Sequence, residues 1–381
     1  MTEKIKTKEN YIFWCLFGIF LTGALPLFTN YCLNSSEIPY QLVRLEGLQE
    51  NLSAGIFRIA MPVNWQYEHG TAGLDGNLFW LLPVFLQKIG LPLESAYRCF
   101  LMCIYAAGVI LSYVTFREAF RDWKLGIFST MLYCWAPWYI DTLYGRAAIG
   151  EALGYAFLPV LLLFVVRMVG QKEGKLPQWV LLTLGTTLLL QSSFAVFTVG
   201  MLMLLFCCIY YRRQMLGRAG LFWCGMLGIL LSLGSFPWDL LRRNVVFQVL
   251  TFSIQSPVIF MIPAVCGMVL AGCGVLEYYR RERSFAEATI LEIAVAAVAF
   301  VSTQFLTNKL LLTREPLWIR QKEDLPELVL VEAPQLQMSA AGGSLQWGTV
   351  AIGILGIVGI VIYCIFRQRK DRKQEVRKEA A

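Results

Sequence analysis

Long apolar runs separated by short basic clusters constrain this chain more than any other feature. Segments able to cross roughly 30 Å of hydrocarbon begin near Tyr11, Ser95, Leu125, Ala152, Pro177, Phe194, Ala219, Pro257, Ala286 and Trp347. With 57% hydrophobic and only 15% charged residues, and a mean hydropathy of +0.57, a water-soluble fold could not hide this much apolar surface. The expectation is an all-α, polytopic integral membrane protein with about ten transmembrane helices. The formal charge of +7 does not imply nucleic acid, because no basic face is interleaved with aromatics. Of the 11 cysteines, most lie inside apolar runs, where cysteine acts as a small hydrophobe. The only histidine is His69, so no His/Cys cluster has zinc spacing and no cofactor is expected, although dependence on a divalent metal stays open. No small-x-small cleavage site follows the first apolar run.

One short apolar segment, Asn77 to Leu91, decides the parity of the later spans. It has a central Pro83 and reads as an interfacial or re-entrant helix. If it does not cross, most Lys and Arg residues collect on one side: Lys4 to Lys8, Arg117 to Lys124, Arg167 to Lys175, Arg212 to Arg218, Arg280 to Arg283 and the tail from Arg367. The positive-inside rule then puts both termini in the cytoplasm of a multi-pass cell-membrane protein. Between Pro177 and Tyr211, two spans of about 17 residues turned at Gln191-Ser192-Ser193 compete with one tilted span plus a re-entrant piece. The organisation expected is a transmembrane domain over 1–306 with an outer loop over 33–94, an outer segment over 307–346, a last span over 347–366 and a basic tail over 367–381. No internal repeat supports an inverted-repeat transporter.

Chemistry-bearing residues gather at the expected outer face. From Glu37 to Glu50, Leu42, Leu45 and Leu48 recur at helical spacing, which predicts an amphipathic helix on the membrane surface with Arg44 on its polar side. These charges either solvate that side or serve a site. The Gly- and aromatic-rich stretch that follows carries Arg58, His69 and Asp75; aromatics beside carboxylates suit a sugar, although interfacial Trp and Tyr are common in membrane proteins. A second polar knot joins two apolar spans with almost no linker and holds Asp141, Arg146 and Glu151. Charges at such depth are costly and default to paired or functional roles, here an Arg146–Glu151 or Arg146–Asp141 ion pair or the binding of an anionic ligand.

At these residues the chain resembles the bacterial YfhO-like membrane proteins, also called 6-pyruvoyl-tetrahydropterin synthase-related, whose architecture is similar to the GT-C superfamily of lipid-linked sugar transferases. The resemblance is carried by Tyr40-x-x-x-Arg44-x-Glu46-Gly47-Leu48, Gly55-x-Phe57 with Pro62, Leu78-Phe79-x-x-Leu82-Pro83 running into Ala96-Tyr97, and Ala136-Pro137-x-x-x-Asp141-x-x-Tyr144-x-Arg146 with Gly150-Glu151. It covers roughly the first 210 residues. The resemblance implies a glycosyltransferase acting in cell-envelope glycopolymer synthesis on a polyprenyl-phosphate-linked sugar or other lipid. It further implies Glu37 as the catalytic carboxylate, and Arg44, Arg58, His69, Asp75, Asp141, Arg146 and Glu151 as substrate-binding residues. Departures from the family pattern are Glu37 for an Asp, Gln41 for a His, Asn77 for an Asp, and Gln191-Ser192-Ser193 where a His is common. A noncatalytic membrane scaffold that keeps the fold is the alternative, and a lipid or solute transporter is a third reading.

Overall fold

The computed structural model describes residues 2–28, 38–53, 78–145, 147–169, 177–210, 225–228, 265–270, 272–274 and 277. Every described element is helical. The helices are α1 (Thr2–Ala24), α2 (Ile38–Ser53), α3 (Leu81–Lys88), α4 (Leu93–Phe120), α5 (Trp123–Cys134), α6 (Pro137–Ile140), α7 (Ile149–Val169), α8 (Gln178–Ser192) and α9 (Phe194–Tyr210). Short 3-10 turns, Leu25–Phe28 and Leu78–Trp80, follow α1 and precede α3. Three of the described helices are long and apolar enough to cross a membrane: Lys8–Phe28, Leu93–Phe120 and Ile149–Met168. The described part of the chain is therefore all-helical with three helices fit to span a membrane; the further spans expected after residue 210 lie almost wholly outside the described residues.

Burial identifies the central helix. Along its spanning window α7 is 89% buried, against 56% for α4 and 28% for α1, so α7 forms the axis and α1 the periphery. Contacts fix the directions. Thr115 Oγ1 of α4 donates to the Pro159 carbonyl of α7 at 2.8 Å, and Arg167 of α7 grips Glu118 of α4 through Nε and Nη2, both at 2.7 Å, so the two run parallel. Helix α5 returns antiparallel along α4, its Cys134 Sγ lying 3.6 Å from Ser112 Oγ. Helix α1 runs beside α5: Tyr11 packs edge-on to Trp123 at 5.6 Å, and Thr22 accepts from Trp135 Nε1 at 3.0 Å. At the top of α1, Gly23 is required because a Cβ there would overlap the Tyr105 hydroxyl.

Pro159 interrupts the interior of α7. Lacking an N–H, it cannot bond the carbonyl one turn back, that of Tyr155. The Tyr133 hydroxyl of α5 donates to that carbonyl at 2.7 Å, replacing the missing bond in a region with no water to do so. A sequence defect in one helix is thus repaired by its neighbours.

The short apolar segment behaves as its length demands. Leu78–Lys88 spans about 16 Å, half of a bilayer core. Gly90, at φ 100, turns the chain straight back into α4. The apolar segment expected from near Leu125 is divided. Helix α5 ends at Cys134 after 12 residues, Pro137 starts the one-turn α6, and Asp141–Gly145 forms a π-helical turn before α7. Proline at the first helical position explains the restart, since the residue before a proline avoids the α region. Helices α8 and α9 meet at Ser193, whose extended backbone (φ −161, ψ 137) makes the turn expected at Gln191-Ser192-Ser193.

Candidate functional site

Parallel and antiparallel packing collect at one end of the bundle the top of α1, helices α2 and α3, the α5–α7 connection and the α8–α9 turn. Helix α2 does not merely rest on a surface. Its Ile38, Leu42, Leu45 and Leu48 are buried, and so are Gln41 and Arg44 at 2% and 6% exposure. Arg44 belongs to the polar side of the amphipathic helix, where the sequence leaves it either solvated or serving a site. Its guanidinium lies 5.0 Å over the ring of Trp80, which is itself 1% exposed and wedged against Tyr97 and Phe100 of α4. A guanidinium held over an aromatic face can direct N–H groups at carboxylate or phosphate oxygens. Next to Trp80, Phe79 stacks on Phe157 of α7 at 4.9 Å, and α8 packs on the same turn.

The α5–α7 connection is irregular and buried. Tyr139, Thr142, Leu143, Tyr144 and Ala147 are all within 3% of complete burial. A π-helical turn followed by Ala147 at φ 56 stores strain of order 1 kcal/mol, which neighbours must offset. Two of them do so. Tyr144 donates to the Gly23 carbonyl of α1 at 2.7 Å, and Gln41 Nε2 of α2 donates to the Ala147 carbonyl at 3.4 Å. Burial pushes the Tyr144 phenol far above its ordinary range, so it acts as a neutral donor. Tyr139 stacks on Tyr155 at 4.8 Å and fits only because residue 108 is glycine, where a Cβ would come 2.5 Å from its hydroxyl. Among the described residues, Gln41 Oε1 and the Tyr139 hydroxyl have no hydrogen-bond partner.

Of the residues singled out from sequence, Arg44, Asp141 and Glu151 are described, and all three belong to this end: Arg44 on α2, Asp141 at the start of the π turn, Glu151 in the first turn of α7. Asp141 and Glu151 are half-buried. Glu37, Arg58, His69, Asp75 and Arg146 lie outside the described residues. Among the described residues no group of three His, Cys, Asp or Glu could hold a metal ion. Sequence reasoning passed over Trp80, although a tryptophan opening a short helix is a signal for a packing platform. It also passed over the Tyr133–Tyr139–Tyr155 cluster, whose ring centroids lie 4.8 to 6.2 Å apart. Gln191, Ser192 and Ser193 are buried at the α8–α9 turn, with Ser192 Oγ donating to the Leu189 carbonyl at 2.7 Å. The chain matches no protein-family model, no curated protein and no solved structure.

Proposed function

We propose that this chain is a GT-C-like glycosyltransferase that takes its sugar from a polyprenyl-phosphate carrier at the outer face of the cell membrane, in cell-envelope glycopolymer synthesis. One observation carries the reading. Three segments that bear the resemblance, far apart in sequence, are joined by direct contacts: α2 to the α5–α7 connection through Gln41–Ala147, and α2 to the Leu78–Trp80 turn through Arg44–Trp80. A lipid-phosphate donor needs positive charge beside an apolar, water-poor wall, and Arg44 on Trp80 supplies both elements. In this reading Glu37 is the base that takes the acceptor proton. Arg44, Arg58 and Arg146 hold the departing phosphate, while His69, Asp75, Asp141 and Glu151 receive sugar hydroxyls.

A second reading, a noncatalytic lipid-binding scaffold, is favoured by Gln41. Its amide cannot accept a proton at neutral pH, and it is engaged in holding Ala147. Transfer of radiolabelled sugar in membranes from a strain lacking the native protein separates the two. Catalysis predicts transfer by the wild type and its loss in Glu37→Gln, with polyprenyl-phosphate binding retained. A wild type that binds the lipid phosphate but never turns over would establish the scaffold instead.

A further inference from the structure

We infer that Lys8, Tyr11, Trp123 and Lys124 form a headgroup site for an anionic phospholipid, at the end of the bundle opposite α2. Trp123 opens α5 and Lys8 lies in the first third of α1, so two helices contribute. The ammonium groups of Lys8 and Lys124 each sit 5.6 Å from the centroid of the Trp123 ring. Tyr11 meets that ring edge-on at 5.6 Å and 84°, which fixes its orientation. Both cations share one indole, and neither forms an ion pair with a described carboxylate. The adjacent Asp122 is committed as the N-cap of α5, accepting from the Lys124 backbone N–H at 3.0 Å. Glu9 is exposed beside Lys8 and, like Asp122, lies in no ion pair with either ammonium.

An oxygen anion beside this indole would find two ammonium groups without an ion-paired carboxylate, and a phosphodiester has the required charge and acceptors. Several observations favour a lipid over a free phosphate. Tryptophan and tyrosine rings settle at headgroup depth, and basic groups flanking them there attract anionic lipids. From this cluster the outward face of α1 continues as exposed Phe13, Trp14, Phe17 and Leu21, at 61%, 65%, 42% and 40% exposure. Phe13 stacks on Phe17 at 6.2 Å and Trp14 meets Phe17 edge-on at 6.0 Å, a smooth apolar track along which acyl chains can lie. The site is independent of the proposed transferase activity.

The test uses the full chain in mixed micelles, titrated with dioleoyl phosphatidylglycerol or dioleoyl phosphatidylcholine, with bound lipid counted by native mass spectrometry. The wild type should retain one phosphatidylglycerol in preference to phosphatidylcholine. The double variant Lys8→Gln/Lys124→Gln should bind it about thirtyfold more weakly, at about a factor of five per lysine near an anionic surface. Lys8→Arg/Lys124→Arg should retain it, since charge is kept. Glycerol 3-phosphate, which carries the phosphate without chains, should not displace the lipid. Equal retention of the two lipids by the wild type, unchanged affinity in the glutamine variant, or displacement by glycerol 3-phosphate would each overturn the assignment.

Discussion

Replacing Tyr133 by phenylalanine removes one oxygen atom, yet the structure gives it a definite cost. The Tyr133 hydroxyl supplies the hydrogen bond that Pro159 denies to the Tyr155 carbonyl, at 2.7 Å and with complete burial. No cavity larger than a hydroxyl forms, so packing loss is small. A stranded buried carbonyl costs about 1 to 3 kcal/mol, while interhelical hydrogen bonds in membranes average nearer 0.6 kcal/mol, so we expect about 1.5 kcal/mol. In a Pro159→Ala background the helix provides its own N–H to Tyr155, and Tyr133→Phe should then cost about 1 kcal/mol less. The contact of Tyr133 with the Cys266 thiol is lost in both backgrounds and cancels from the cycle. Reversible unfolding in mixed micelles, read as a double-mutant cycle, measures the coupling. Additivity within about 0.3 kcal/mol would refute the repair of α7 by α5.

The Glu118–Arg167 pair has side-chain exposures of 22% and 8%, so Glu118→Gln alone should remove the charge that faces a buried guanidinium and cost about 3 kcal/mol, whereas Glu118→Leu with Arg167→Met should cost less in the same unfolding assay. Gly108→Ala should lose about 1 to 3 kcal/mol, because its Cβ would lie 2.5 Å from the Tyr139 hydroxyl, and Tyr139→Phe should restore much of it by removing that oxygen. With the Leu78–Lys88 helix not crossing, single cysteines placed at 68 and 173 in a cysteine-free background should label from opposite sides of the membrane. Labelling of both from outside would break that topology.

Legibility in the sequence tracked the range of the interaction. The long helices α1, α4 and α7 announce themselves, because an apolar run of 18 residues or more leaves few alternatives. The shortness of the Leu78–Lys88 helix and the turn at Ser193 were equally local, set by Pro83, by Gly90 and by a polar triplet between apolar runs. Arg44 was different. Helical spacing assigns it to a polar face, and only the arrival of Trp80, 36 positions later in the chain, converts that face into a buried one. The split of the third apolar segment had a local cue in Ala136-Pro137, but its π turn and the φ 56 at Ala147 depend on Gln41 and Gly23, from two other elements. For the same reason the tyrosine cluster was opaque: Tyr133, Tyr139 and Tyr155 meet only because α5 and α7 both pack on α4 with the one-turn α6 between them in the chain.

The most direct test of the proposed site is photocrosslinking with a polyprenyl phosphate that carries a diazirine next to the phosphate, followed by peptide mapping. Adducts should concentrate in 38–53, 78–88 and 136–151, compete with unlabelled polyprenyl phosphate, and fall about tenfold in Arg44→Ala, which loses a charge-assisted contact worth about 1.5 kcal/mol. Adducts spread along the exposed faces of α1 and α8, insensitive to competitor and to Arg44→Ala, would contradict a lipid-phosphate site at this end of the bundle.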